Sequence, residues 1–301
     1  PRIYARVLGY LILHGPSEKA RETVSQQITT CAGDDIMLQT GEFYFNHLLR
    51  LFKRNKGPIP SPTPHPSSAT FNIAKAAIMQ TLDEAPTDHK TAKKAALKRD
   101  GYKCLLSGNY DFYSVEEDDK LKAIMQTEEM SPIFTECAHI FPESTNVNIS
   151  DTSRRNKREY SANVWTIMHC FGFYTIPHDL NGRNIHRLEN VITMCSGGHN
   201  AFDNLKLWFE PAANAGPDTY SVHTPDSSMY PRYFKRNVTF STPDKDKYPL
   251  PSSVYLAIHA ACAKVAHLSG AAEEIDILYR EMEDSKVMSK DGASVEHIEH
   301  V

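Results

Sequence analysis

Two short stretches constrain this chain more than its size or composition does. The first, Glu136-Cys-Ala-His-Ile-Phe-Pro142, is an apolar run that carries His139 and stops at Pro142. The second runs from Glu189 to Asp203: Asn190, a β-type run to Cys195, a Gly-Gly break, then His199 and Asp203 four residues apart. Proline lacks an amide donor and fixes its own φ, so Pro142 marks the end of a strand. On a helix, positions four apart share a face, so His199 and Asp203 can reach one ion. The predicted order is a strand with a His, a strand entered by an Asn, and a helix with a His and an Asp. Imidazole is the side chain whose unperturbed pKa suits proton transfer near neutral pH. A nitrogen and an oxygen donor with open positions around them suit Mg, Mn, Ni or Zn.

The flanking sequence reads as mostly helical. Residues 1–14 are basic then apolar, with no small-residue cleavage site after them, and read as a strand or short helix rather than a leader. Ser17 is a candidate N-cap for a helix over 17–31, and another is predicted from Thr40 to Phe52. Five prolines between Pro58 and Pro66 then predict an extended arm. Helices are predicted over 70–82 and 87–100, the second basic on one side and closed by Gly101, and a short one over 120–129. The tail predicts helices over 252–268 and 271–284, with Gly270 between them and the last fifteen residues frayed. Strands are predicted over 133–140, 191–195, 207–209 and 219–223, and residues 225–250 read as irregular. The expected division is a helical segment (1–56), a Pro-rich linker (57–68), a main unit (69–223), and a final segment (224–301) whose helices pack on the core.

The central stretch resembles the HNH endonuclease superfamily, in particular the HNH-type domain common in fungal proteins. The resemblance rests on Arg99-Asp-Gly-Tyr-Lys-Cys104 with Gly108, on Ala138-His-Ile-Phe-Pro142, on Asn181 and on Arg187 to Met194. It continues through His199-Asn-Ala-Phe-Asp203 and Leu207-Trp-Phe-Glu-Pro211, so that it covers roughly residues 97–223. It implies an α+β fold with a small ββα-metal core, a long insertion between the two strands, and helices from both termini around it. By the same resemblance His139 is the general base, Asn190 positions that base or its loop, and His199 is a metal ligand; Asp203 joins it by its helical spacing. The implied activity is hydrolysis of phosphodiester bonds in nucleic acid with one divalent metal ion.

One departure stands out. Many such sites carry an acidic or imidazole ligand directly before the base, where this chain has Ala138. Either Asp203 or a residue of the long insertion is expected to make up the loss. Cys104, Cys137 and Cys195 could belong to a degenerate zinc knot, with Ser107 where a second Cys of a CxxC would stand. His169, His178 and His186, in the insertion, are expected at the surface. The run Arg154-Arg-Asn-Lys-Arg158 reads as a solvated loop.

Net charge is −4, from 33 basic and 37 acidic residues, so any attraction for nucleic acid has to be local. Two other readings therefore stay open: the same scaffold rebuilt for a small molecule, with a closed apolar pocket over His139, or a binding module without catalysis. The six scattered cysteines predict reduced thiols and an intracellular, cytoplasmic or nuclear setting. No run is long enough to span a membrane.

Overall fold

The computed structural model describes residues 2–53, 65–66, 69–87, 90–150, 155–229, 232 and 234–288. It is an α+β arrangement in which helices from both ends of the chain pack around small sheets. The N-terminal stretch is helix α1 (Arg2–His14), which buries Val7, Leu8 and Leu11. Their spacing at i, i+1 and i+4 makes one apolar stripe, which settles the strand-or-helix ambiguity in favour of helix. The side chain of Ser17 accepts from the Ala20 amide and caps α2 (Glu18–Thr29). Helix α3 (Asp34–Tyr44) begins six residues before the Thr40 expected from sequence. It continues through a π-helical turn, Phe45–Leu49, and a 3-10 turn, Arg50–Phe52. At Gly41 the backbones of α1 and α3 nearly touch: an added Cβ would overlap the carbonyl of Tyr4.

Residues 57–64 and 67–68 of the predicted proline arm lie outside the described residues. Its described part is not a free linker, because His65 is buried between Phe43 and Phe71, with ring centroids 4.7 and 4.5 Å away. Helix α4 (Ala69–Thr81) packs on a later helix of the insertion, and α5 (Lys90–Arg99) lies against the central strands. Gly101 follows α5 with φ 62°, the left-handed conformation expected of a closing glycine. The acidic stretch after it is ordered. It contains β1 (Tyr110–Asp111), α6 (Phe112–Glu117) and α7 (Asp119–Thr127), each helix capped by an Asp side chain. Strand β2 (Pro132–Ile133) pairs with β1 in parallel.

The central pair is β3 (Thr135–His139) and β4 (Val191–Cys195), antiparallel, with His139 opposite Val191 and Glu136 opposite Met194. Between them the insertion forms α8 (Arg155–Cys170), the short α9 (Ile176–Asp179) and two 3-10 turns, Gly182–His186 and Leu188–Asn190. Helix α8 begins inside the basic run, of which Arg154 lies outside the described residues. Helix α10 (Ser196–Asp203) follows β4 directly, starts at Ser196 so that the Gly-Gly lies inside its first turn rather than before it, and packs on β3 and β4. Strands β5 (Trp208–Pro211), β6 (Thr219–His223) and β7 (Asn237–Thr239) make a three-stranded antiparallel sheet. β7 falls in the region expected to be irregular.

The tail is α11 (Ser253–Ser269), capped by Ser252 and ended by Gly270 at φ 85°, followed by α12 (Ala271–Met288). α11 packs on both α1 and β5. One apolar core joins Val7, Phe52, Ala138, Trp165, Met194, Phe202 and Val265. All six cysteines are free. No described helix is long and apolar enough to cross a membrane.

Candidate active site

The pleat of β3 decides what reaches the site. Successive side chains point to opposite faces, so Glu136 and Ala138 share the face toward α10. Cys137 takes the other face, against Ala96 of α5 and Val191. Ala138 is fully buried in the main core and has no donor to offer. Two residues upstream on the same face, Glu136 reaches across to α10. Its Oε2 accepts from His199 Nδ1 at 2.5 Å and its Oε1 accepts from Ser196 Oγ at 2.8 Å. Asp203 Oδ2 lies 3.1 Å from His199 Nε2. Glu136 was not foreseen from sequence. The i, i+2 rule applied to Ala138 would have pointed to it.

His199 thus sits between two carboxylates, one at each ring nitrogen. Burial by itself lowers its pKa, but the Asp203 and Glu136 carboxylates outweigh that and raise it above the ordinary histidine value. The ring is 22% exposed and favours the imidazolium form. Gathering Glu136, His199 and Asp203 onto one cation requires the ring to exchange one of these partners for the ion.

His139 ends β3 and is 8% exposed. Its Nε2 lies 3.0 Å from His186 Nδ1. His186 was expected at the surface, yet its side chain is only 9% exposed. The Gly182–His186 turn carries it back over the end of β3. Its other nitrogen, Nε2, donates to the Pro86 carbonyl at 2.7 Å. A carbonyl only accepts, so that contact fixes the proton of a neutral His186 on Nε2 and leaves Nδ1 as an acceptor. His139 Nε2 then carries the shared proton, and the lone pair of His139 is on Nδ1. Glu143, on the turn after Pro142, brings Oε2 to 3.9 Å from His186 Nδ1. His178 does lie at the surface, and His169 packs beside Tyr174.

Asn190 is fully buried and does not touch the cavity. Its Oδ1 accepts from the Phe141 amide at 2.8 Å. Its Nδ2 donates to the Phe141 carbonyl at 3.0 Å and the Ile185 carbonyl at 2.8 Å. One amide therefore clamps both the loop after His139 and the turn that holds His186. A second clip holds the same end of β4 from the side of α5. Arg99, 1% exposed, binds both oxygens of Asp100 and donates to the carbonyls of Leu188 and Val191. The thiols of the proposed zinc knot divide. Cys104 and Cys195 are in contact, the Cys195 amide donating to Cys104 Sγ at 3.2 Å. The Cys195 side chain, with help from Ser107, holds the Cys104 thiol below its ordinary value. Cys137 is elsewhere, pushed up to about 12 by burial.

His139, Glu136, His199 and Asp203 all line one cavity of about 460 Å³, together with Glu143 and Lys93. Leu51, Phe52 and Lys53 of the N-terminal segment form part of its wall. Lys93 belongs to α5, whose Lys90, Lys94 and Lys98 are exposed.

Comparison with known protein families finds that residues 104–210 match the family described as HNH endonuclease. No curated protein and no solved structure matches the chain.

Proposed function

From an HNH endonuclease domain at residues 104–210, we propose that this chain hydrolyses phosphodiester bonds of nucleic acid with the help of one divalent metal ion. In this reading β3, β4 and α10 are the ββα-metal core. The observation that carries it is the single cavity lined by His139, Glu136, His199 and Asp203 inside the matched segment.

The donor chemistry fits a hard divalent ion: two carboxylates and one imidazole, from β3 and α10. Glu136 takes the place of the ligand missing at Ala138. When bound, the ion would stabilise negative charge on the phosphate and on the leaving oxygen. His139 takes the proton of the attacking water at Nδ1, the nitrogen left with a lone pair when Nε2 donates to His186. His186 holds the ring and its tautomer. Asn190 is a positioning residue for both imidazoles, acting through the backbone at Phe141 and Ile185. Lys93 and the exposed lysines of α5 offer positive charge to the phosphate backbone. A closed apolar pocket over His139 would favour a small-molecule enzyme; this lining instead sets Lys93, Glu136, Glu143 and Asp203 beside Leu51 and Phe52.

The test is nicking of supercoiled plasmid and cleavage of single-stranded DNA and RNA, with Mg2+ or Mn2+ and with chelator. His139→Ala is expected to lose cleavage by at least a hundredfold, the low end of what a positioned base contributes. Unchanged cleavage by that variant rejects His139 as the base. Absence of cleavage by the parent with any divalent ion rejects the nuclease reading in favour of a binding module or another substrate.

A further inference from the structure

A second set of donors takes His139 and Glu143 from the lining of this cavity, adds His186 from the turn packed against His139, and differs in kind from the first. His139, Glu143 and His186 each offer one ligand atom, and these atoms all lie within 4.8 Å of one another. We propose that these three residues form a separate site for a softer divalent cation such as Zn2+, and that filling it switches the base off. The consequence for activity rests on the nuclease reading; the site itself does not.

Four observations support it. Zinc holds nitrogen and oxygen donors at about 2.0–2.2 Å, which in a tetrahedral shell sets neighbouring donors roughly 3.3 to 3.6 Å apart. Here His139 Nε2 and His186 Nδ1 are 3.0 Å apart, and His186 Nδ1 and Glu143 Oε2 are 3.9 Å apart. The donors are thus close to a shared shell already, and the partly exposed Glu143 is the one that must close in. Secondly, the far nitrogen of His186 donates to the Pro86 carbonyl. That is the usual outer partner of a metal-bound imidazole, and it turns Nδ1 toward the site. Thirdly, Asn190 clamps the loop and the turn that carry the two imidazoles, so both are held in advance. Finally, the composition separates the two sites. Two imidazoles and one carboxylate favour Zn2+, Co2+ or Ni2+ over Mg2+, whereas Glu136, His199 and Asp203 supply two carboxylates and suit Mg2+ or Mn2+.

The consequence follows from the proton. A neutral His139 bound to a cation through Nε2 keeps its one proton on Nδ1. That nitrogen then has no lone pair with which to accept a proton from water. A d-block ion would therefore displace the His139–His186 hydrogen bond and silence the base, while the other donor set still binds Mg2+ or Mn2+.

The experiment uses the full chain and the metals alone. Zn2+ affinity is measured by competition with a chromogenic chelator in excess Mg2+, and Co2+ binding by its visible absorption. The parent is expected to hold Zn2+ that excess Mg2+ does not displace. Glu143→Gln and His186→Gln should each weaken it at least tenfold, with circular dichroism unchanged, while Glu136→Gln and Asp203→Asn retain it. In the cleavage assay, Zn2+ should inhibit the Mg2+-supported parent, and Glu143→Gln should need at least tenfold more Zn2+. Zn2+ binding that survives both Glu143→Gln and His186→Gln, or is lost only on changing Glu136 or Asp203, overturns the site. Equal inhibition of parent and Glu143→Gln overturns the switch. Zn2+ held through Glu143 and His186 by a chain that cleaves no nucleic acid upholds the site and rejects the nuclease reading instead.

Discussion

Removing the Asn190 side chain tests the positional argument most directly. Asn190→Ala deletes three hydrogen bonds in a fully buried place: one accepted from the Phe141 amide and two donated to the Phe141 and Ile185 carbonyls. Each is worth about 1 kcal/mol net, and a buried amide left without a partner costs about 1–3 kcal/mol more. The carbonyls are penalised less, because water entering the small cavity can serve one of them. The expected loss is roughly 3–5 kcal/mol, a large part of the 5–15 kcal/mol typical of a domain. Urea unfolding followed by tryptophan fluorescence reads this as a lower midpoint at an unchanged slope. Activity should fall at conditions where the variant is still folded, mainly in kcat, because the clamp orients His139 and His186 without touching substrate. Asn190→Asp sharpens the test. It keeps an acceptor for the Phe141 amide but faces two carbonyls with an oxygen instead of a donor, so it should rescue little. A stability loss under 1 kcal/mol with cleavage within twofold of the parent would refute the clamp.

Three further outcomes follow from the same geometry. Glu136→Gln should leave unfolding nearly unchanged, since the side chain is 48% exposed. It should raise the Mg2+ or Mn2+ concentration needed for half-maximal cleavage at least tenfold, and an unaltered metal dependence would remove Glu136 from the donor set. Acid should destabilise the fold through His47 and His259, which burial lowers to about 4 and about 3. Both are depressed below the unfolded value of about 6.5, so the unfolded chain binds more protons between those values. Their contribution is complete above pH 6.5 and is lost as pH falls through 4 and 3. Between pH 7 and 5 each should cost roughly 2 kcal/mol in urea unfolding; a flat profile over that range would contradict the buried neutral state. Gly41→Ala places a methyl against the Tyr4 carbonyl where α1 and α3 cross, and backbone cannot give way as a side chain can. A loss of about 1–3 kcal/mol is expected, read as a lower thermal midpoint.

Much of the local structure was legible because it depends on neighbours in sequence. The Ser17 cap, the glycines closing α5 and α11, and the strand Val191–Cys195 all come from short-range rules of capping, left-handed glycine and β-branched runs. Short-range rules failed where the chain was held by something distant. Residues 2–14 looked ambiguous until α11 and α3 gave one face a core to meet. The strand Asn237–Thr239 exists only because β6 presents an edge to pair with.

The same division runs through the site. The residue types and their order determined a strand imidazole, an Asn at the entry to the second strand and a helical His–Asp pair, because strand alternation and the i, i+4 spacing are properties of the backbone itself. Only the tertiary structure could bring Glu136 to the far side of His199, fold His186 and Glu143 back against His139, and fix a proton through the carbonyl of Pro86. Most of those partners lie from 47 to 100 residues apart in sequence, and no periodicity encodes such distances. They are set by how the insertion closes over the end of β3, where the Asn190 clamp makes one register cheaper than any other.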